Sequence, residues 1–209
     1  MIRAVICDFG GVLTTPLMDS FMAYQRESGI LFEDIGRAMV LAMEKLDGRH
    51  PLFELEKGNL TEAEFLDLVG GELGEPLHSL RETYFRNLHP NDRMIDYIRD
   101  LRSRGLRTAL LTNNVREWEP LWRAKLPDVD EIFEVIVDSG FVGMRKPEPG
   151  IYQLTVDRLG DGVGPAECVF VDDIEVNCDA ARELGMVAIH FRDNDQAISE
   201  IEAAVAAGN

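Results

Sequence analysis

Cysteine is scarce: Cys7, Cys168 and Cys178 are the only three in 209 residues, with neither CxxC nor Cys/His spacing. An odd, scattered set of this kind argues against a disulfide framework and a zinc site. Basic residues are also few, 21 Lys and Arg against 38 Asp and Glu, for a formal charge of −17. Nucleic acid and anionic membrane surfaces are bound by clustered Lys and Arg, so neither is an expected partner. No apolar run approaches the roughly 20 residues needed to span a bilayer. The chain opens in strand-like sequence, without a basic stretch, a signal-like apolar core or a cleavage site, and a soluble cytoplasmic protein is expected. Internal repeats and low-complexity segments are lacking too.

What is present begins with Ala4-Val5-Ile6-Cys7, an apolar run ending on Asp8 and followed by Gly10-Gly11. An acid at the carboxyl end of a buried parallel strand stands where open α/β sheets place their ligands. Cys7 reads as a small apolar strand residue rather than a nucleophile. After Thr15 the pattern turns helical, with segments near 18–28, 31–46, 60–73 and 76–87 broken at Gly29, Gly48, Pro51, Gly58 and Gly74. In the third, Thr61 and Glu64 have capping-box spacing, and Phe65, Leu66, Val69 and Leu73 form an apolar face.

A helix near 91–104 follows, and from there strands and helices alternate. Strands are expected over 107–113, 135–137, 168–171 and 187–191, with helices near 117–126, 150–159, 176–184 and 195–206. Repeated βα units predict a Rossmann-like parallel sheet flanked by helices. The expected architecture is an α/β core of residues 1–15 and 89–209, with a helical-bundle cap, 16–88, inserted after the first strand.

Four strand ends carry polar residues that packing does not require: Asp8; Thr112-Asn113-Asn114; Arg145-Lys146; and Asp172-Asp173 with Asn177. Singly, each reads as a turn former or a helix N-cap. Together they suit attack of a carboxylate on phosphorus, which needs a cation between the two anions, donors for the phosphoryl oxygens and a positive charge for the transition state. Asp8 would attack, Asp173 and a backbone carbonyl would hold magnesium, Thr112 and the Asn113 amide would donate, and Lys146 would supply charge.

The segments DFGGVLTT, LLTNN, GMRKPEPGIY and VFVDDIEVNCDAARELGM resemble, in order and rough spacing, the four motifs of the haloacid-dehalogenase-like hydrolase superfamily. The last two look like the branch with the phosphatase domain of soluble epoxide hydrolases and bacterial sugar-1-phosphate phosphatases. The resemblance implies that Asp8 becomes an aspartyl phosphate and that magnesium is bound by Asp8, the Gly10 carbonyl and Asp173. It also implies that Thr112 and Asn113 hold the phosphoryl group, that Lys146 bridges it to the nucleophile, and that Asp172 and Asn177 orient the ligands from outside. The expected partner is a small phosphorylated metabolite, with a sugar phosphate as one candidate.

One position departs from the family. Most of its phosphatases carry an acid/base Asp two residues after the nucleophile, where this chain has Gly10. Three readings follow: a phosphatase that moves the proton by another group, a weak or inactive relative that binds phosphorylated ligands, or a 2-haloacid dehalogenase, whose halide needs no proton. The last fits poorly with paired acids, which suit a hard cation. In the cap, His50, Glu54 and Glu56 are expected at a solvated surface, and Trp118 and Trp122 in a core or at the seam. Arg116 and Arg145 are the better placed for anion contact, and His78, His89 and His190 carry no motif.

Overall fold

The computed structural model describes residues 1–207; residues 208–209, the last two of the expected core segment, lie outside the described residues. Its centre is a five-stranded parallel sheet of β1 (Ala4–Cys7), β2 (Arg107–Thr112), β3 (Val135–Asp138), β4 (Cys168–Asp172) and β5 (Val187–His190). The strand order is β3-β2-β1-β4-β5, all pairs parallel, with Cys7 opposite Leu110 on one side and Val171 on the other. The chain leaves β1 for β2 and β3, then crosses to β4, so the order reverses beside β1. A crevice opens at that point at the carboxyl ends of the strands.

Alternation along the strands sends side chains to two separate cores. Val5, Cys7, Leu110, Val169 and Val171 face one layer, while Ala4, Ile6, Ala109, Leu111 and Phe170 face the other. The first layer is completed by α6 (Asp92–Ser103) and α12 (Asn194–Ala207), through Met94, Ile98, Leu101 and Ile201. The second is completed by α10 (Pro149–Leu159) and α11 (Glu175–Glu183), through Ile151, Tyr152, Cys178 and Ala181. With both faces covered, the strands carry near-continuous apolar runs, as parallel sheets do.

Between β1 and α6 lie α1 (Leu17–Ser28), α2 (Phe32–Ala42), α3 (Pro51–Glu56), α4 (Glu62–Leu73) and α5 (Leu80–Asn87). Helix α1 packs on α5 and α2 on α4. Thr61 and Glu64 form the reciprocal cap foreseen from their spacing; such a cap is worth about 1 kcal/mol. The chain enters and leaves this segment side by side: the Thr15 amide donates to the His89 carbonyl at 2.8 Å and the Asn91 amide to that of Leu13 at 2.9 Å.

Two expectations fail here. Pro51, read as a break, occupies the first turn of α3, where its missing N–H costs nothing. The helix expected from residue 76 begins only at Leu80, after Ser79 in the left-handed region. Short helices α7 (Glu119–Lys125), α8 (Val129–Ile132) and α9 (Ser139–Val142) fill the connections around β3. No described helix is long and apolar enough to cross a membrane.

Candidate active site

Four strand ends meet at the crevice, because parallel strands in register finish at one level. Asp8 extends β1 by one residue, its amide donating to the Val171 carbonyl of β4 at 2.9 Å. Lys146 arrives from the segment after β3 and is 1% exposed. Its ammonium lies 2.7 Å from Asp8 Oδ1 and 2.6 Å from Asp172 Oδ2. The other oxygen of Asp172 accepts from the Ile174 amide at 2.8 Å and from Asn177 Nδ2 at 3.0 Å. Asn113 fixes the Lys146 main chain, accepting from its amide at 2.8 Å and donating to its carbonyl at 3.0 Å. Thr112 is buried at the end of β2.

Charge in this cluster does not balance. Asp8, Asp172 and Asp173 each offer an oxygen within 4.8 Å of the others, the one such group of three acidic, His or Cys side chains found among the described residues. Among the described residues, Lys146 is the cation paired with two of them. Burial opposes its charge, but Asp172 and Asp8 outweigh that and hold the ammonium above its ordinary range. Burial pushes the Asp8 carboxyl up to about 8, against the pull of Lys146 and with the push of Asp172 and Asp173. Burial and then Asp172 raise Asp173 to about 6. A pocket of hard oxygen donors with excess negative charge fits a divalent cation.

Gly11, not Gly10, is the glycine the backbone requires. Its φ is +78°, and a Cβ there would stand 2.2 Å from Asp173 Oδ2, so only glycine lets Asp173 approach the β1 turn. At Gly10 a Cβ would meet both δ-carbons of Leu17 at 2.9 Å. A side chain at residue 10 would therefore first meet the end of Leu17, which would have to turn aside.

Beyond the strand ends a cavity of about 260 Å³ separates the core from α1, α2 and α4; Gly10, Thr112, Asn113 and Glu56 are in its wall. Glu56, expected at a solvated surface, is packed inward with Arg145 Nε 2.6 Å from its carboxylate, and burial raises its pKa despite Arg145. Glu54 is also buried, taking Arg49 at 2.6 Å and Asn59 at 3.1 Å, and does not face the cavity. His50 stacks on Phe53 at 4.5 Å. Arg116 donates to the Gly140 carbonyl at 2.8 Å. Arg145 is thus paired with an acid, whereas Arg116 is held through Nε on a neutral carbonyl. The two tryptophans separate: Trp118 lines the cavity, whereas Trp122 is buried against Phe9 with its N–H on Asp138 at 3.1 Å. Burial, then Asp8, pushes the Cys7 thiol up, consistent with a packing role.

His190 carried no motif, yet it bridges Glu175 Oε2 at 2.7 Å and the Asp173 carbonyl at 3.0 Å. Its position at the end of β5 was the available signal, since every strand end of this sheet borders the crevice.

A buried carboxylate at the central strand end, a lysine clamped on it and two further acids from the neighbouring strand make an acidic, cation-binding type of site on a Rossmann-like α/β core. A family profile described as haloacid dehalogenase-like hydrolase matches residues 2–185, and the chain belongs to that family. It is 28% identical to rat bifunctional epoxide hydrolase 2 over 96% of its own length but only 38% of that protein's. It is 26% identical to the Aspergillus oryzae sesquiterpene phosphatase astK, covering 92% of this chain and 91% of that one. Among solved structures, a magnesium complex of a HAD family enzyme from Bacteroides thetaiotaomicron is 26% identical, with a TM-score of 0.66 and coverage of 91% and 93%.

Proposed function

We propose that the chain is a magnesium-dependent phosphohydrolase acting on a small phosphomonoester through an aspartyl phosphate on Asp8. The carrying observation is the Lys146 ammonium held between Asp8 at 2.7 Å and Asp172 at 2.6 Å, with Asp173 completing the acidic cluster. Asp8, the Gly10 carbonyl and Asp173 would hold the cation, as the magnesium complex of the Bacteroides relative and the local charge excess support. Bound there, magnesium offsets the repulsion between carboxylate and phosphate and polarises a phosphoryl oxygen.

The chain's own groups do the rest. Lys146 holds Asp8 in place and stabilises charge on the phosphoryl oxygens; Asp172, fixed by Asn177, holds Lys146. The Thr112 hydroxyl and the Asn113 amide donate to those oxygens. An Asp8 oxygen bonds to phosphorus as the ester P–O bond breaks, and the alcohol departs with a proton. Water then attacks the phosphoryl group, releasing phosphate and restoring Asp8. Gly10 has no side chain to move either proton. We assign that task to Glu56, the raised carboxyl in the same cavity: it protonates the leaving oxygen, rests as a carboxylate on Arg145, and recovers a proton from the attacking water.

Residues 16–88 are taken as a cap that closes over the phosphoryl group and excludes water. The acidic cluster favours this reading over dehalogenation, which needs no hard cation. The test is phosphate release from p-nitrophenyl phosphate. Turnover is expected with magnesium, none with a chelator and none by Asp8→Asn; release that persists in Asp8→Asn rejects the nucleophile.

A further inference from the structure

The cavity beyond the phosphoryl site has a consistent chemistry. Its inner wall is Gly10, Thr112, Asn113 and Asn114, and most of the remainder is carbon, from Leu17, Phe32, Met39, Phe65 and Trp118 among others. Several polar side chains in the lining are engaged within the protein, while the Thr112 and Tyr84 hydroxyls and Asn114 Nδ2 have no partner among the described residues. Both ends of the Asn113 amide are held by the Lys146 main chain. Asn114 Oδ1 accepts from the Val115 amide at 2.9 Å. Glu62 takes the Trp118 N–H at 2.9 Å with one oxygen and Arg81 at 2.7 Å with the other. Glu56 takes Arg145.

A sugar or glycerol leaving group would bring several hydroxyls into a space whose wall is mostly carbon and lose water from more of them than the few open polar groups can satisfy, which is a net cost. A hydrocarbon loses nothing polar and gains from contact with the wall. Leu17 extends the same argument to the reacting centre, because its δ-carbons fill the position of a side chain at residue 10. On the Gly10 side the wall next to the reacting centre is therefore carbon.

We propose that the substrate is the monophosphate of an aliphatic alcohol, its hydrocarbon chain lying in this cavity and its phosphate at Asp8. This rests on the phosphohydrolase reading, and the experiment separates the two. The full-length protein with magnesium is given butyl, hexyl, octyl and decyl phosphate below their micellar concentrations, beside glycerol 3-phosphate and p-nitrophenyl phosphate. The value of kcat/KM is expected to rise about fourfold per methylene until the cavity is full, the fold-change equivalent of about 0.8 kcal/mol for each buried methylene.

Met39→Trp, which narrows the cavity, is expected to shorten the longest chain accepted, read as a fall in the ratio of kcat/KM for decyl phosphate to that for butyl phosphate. Should that variant not fold, Phe32→Leu enlarges the cavity and is expected to lengthen it. Glycerol 3-phosphate turned over as well as octyl phosphate, or no chain-length trend, overturns the proposal while the phosphohydrolase reading stands. If nothing is turned over, displacement of an apolar fluorescent dye by the alkyl phosphates decides. Affinity rising with chain length then supports the cavity assignment and rejects the phosphohydrolase reading, and affinity independent of chain length overturns both.

Discussion

Replacing Lys146 by Met keeps the length of the side chain and removes its charge. Lys146 is 1% exposed, and its two partners, Asp172 and Asp8, are 0% and 9% exposed at their side chains. The variant therefore leaves two buried carboxylates without their shared cation. Stripping one partner from a buried ion pair costs about 3–5 kcal/mol. For a chain of this size each kcal/mol moves the melting point by roughly 2–4 °C, so a fall of roughly 6–20 °C is expected in EDTA at pH 8.

The sign of the pH dependence follows from Asp8. Its carboxyl stands at about 8 even with Lys146 present, and without the lysine it moves higher. A group with a raised folded-state pKa takes up its proton more readily in the fold, so the variant recovers stability as pH falls through that value. Its deficit against the wild type should shrink as pH falls from about 10 toward 8 and change little below that, where both folded proteins hold the Asp8 proton. Saturating magnesium should also narrow the gap by replacing part of the lost charge. The assay is thermal unfolding in both buffers, with phosphate release as a second readout, expected to fall about 10²–10³-fold. A variant as stable as the wild type in EDTA at pH 8, or a deficit that does not change between about pH 10 and pH 8, refutes this account of Lys146.

Gly11→Ala should abolish magnesium stabilisation of the fold and cost roughly 1–2 kcal/mol in backbone strain, because its φ is +78° and its Cβ meets Asp173; calorimetric magnesium titration checks the first part and urea unfolding the second. Asp138 is buried, accepts from the Gly140 amide and Trp122, and is pushed by burial from the ordinary 3.8 to about 6. Since the fold binds that proton more tightly, wild-type stability relative to Asp138→Asn should fall by about 3 kcal/mol between pH 4 and pH 6 and then level, as read by urea unfolding across that range. A constant difference would contradict the shift. Glu56→Gln should slow alkyl phosphates about 10²-fold or more while sparing p-nitrophenyl phosphate, whose nitrophenolate leaves without a proton; equal losses on both substrates would remove Glu56 from proton transfer.

The sheet was legible because each strand is an apolar run closed by a polar residue, and because βα repeats allow few parallel arrangements. Asp8, Thr112, Lys146 and Asp172 could be grouped on the same ground: strands in one parallel register end at one level. The helical segment was less legible. Helix α3 is six residues long, too short to show a period, and its Pro51 resembles a break as much as a first turn. Glu54 and Glu56 fall two apart on that helix, and nothing local shows that one turns to Arg49 and the other to Arg145. Burial of those acids depends on partners 5 and 89 residues away in sequence. Trp118 and Trp122 had one helical spacing and two fates, decided by which met Asp138.

The turn after β1 shows how a departure from a family pattern can point past its cause. Gly10 drew attention as a missing acid, and a missing acid suggests a weakened enzyme. Its neighbour Gly11 instead carries the constraint of the metal site, since Asp173 comes to rest where a Gly11 side chain would be. At Gly10 the relevant partner is Leu17, the first residue of α1 and part of the cavity wall. An aspartate at position 10 would have to displace Leu17 and would place a charge between the phosphoryl group and hydrocarbon, where desolvation opposes it. Glycine with Leu17 keeps carbon beside the turn after β1, and on the proposed mechanism proton transfer falls to Glu56. Loss of the acid and the apolar cavity are then one adaptation, so Gly10→Asp combined with Leu17→Ala should weaken the chain-length preference even where it speeds turnover of short phosphomonoesters.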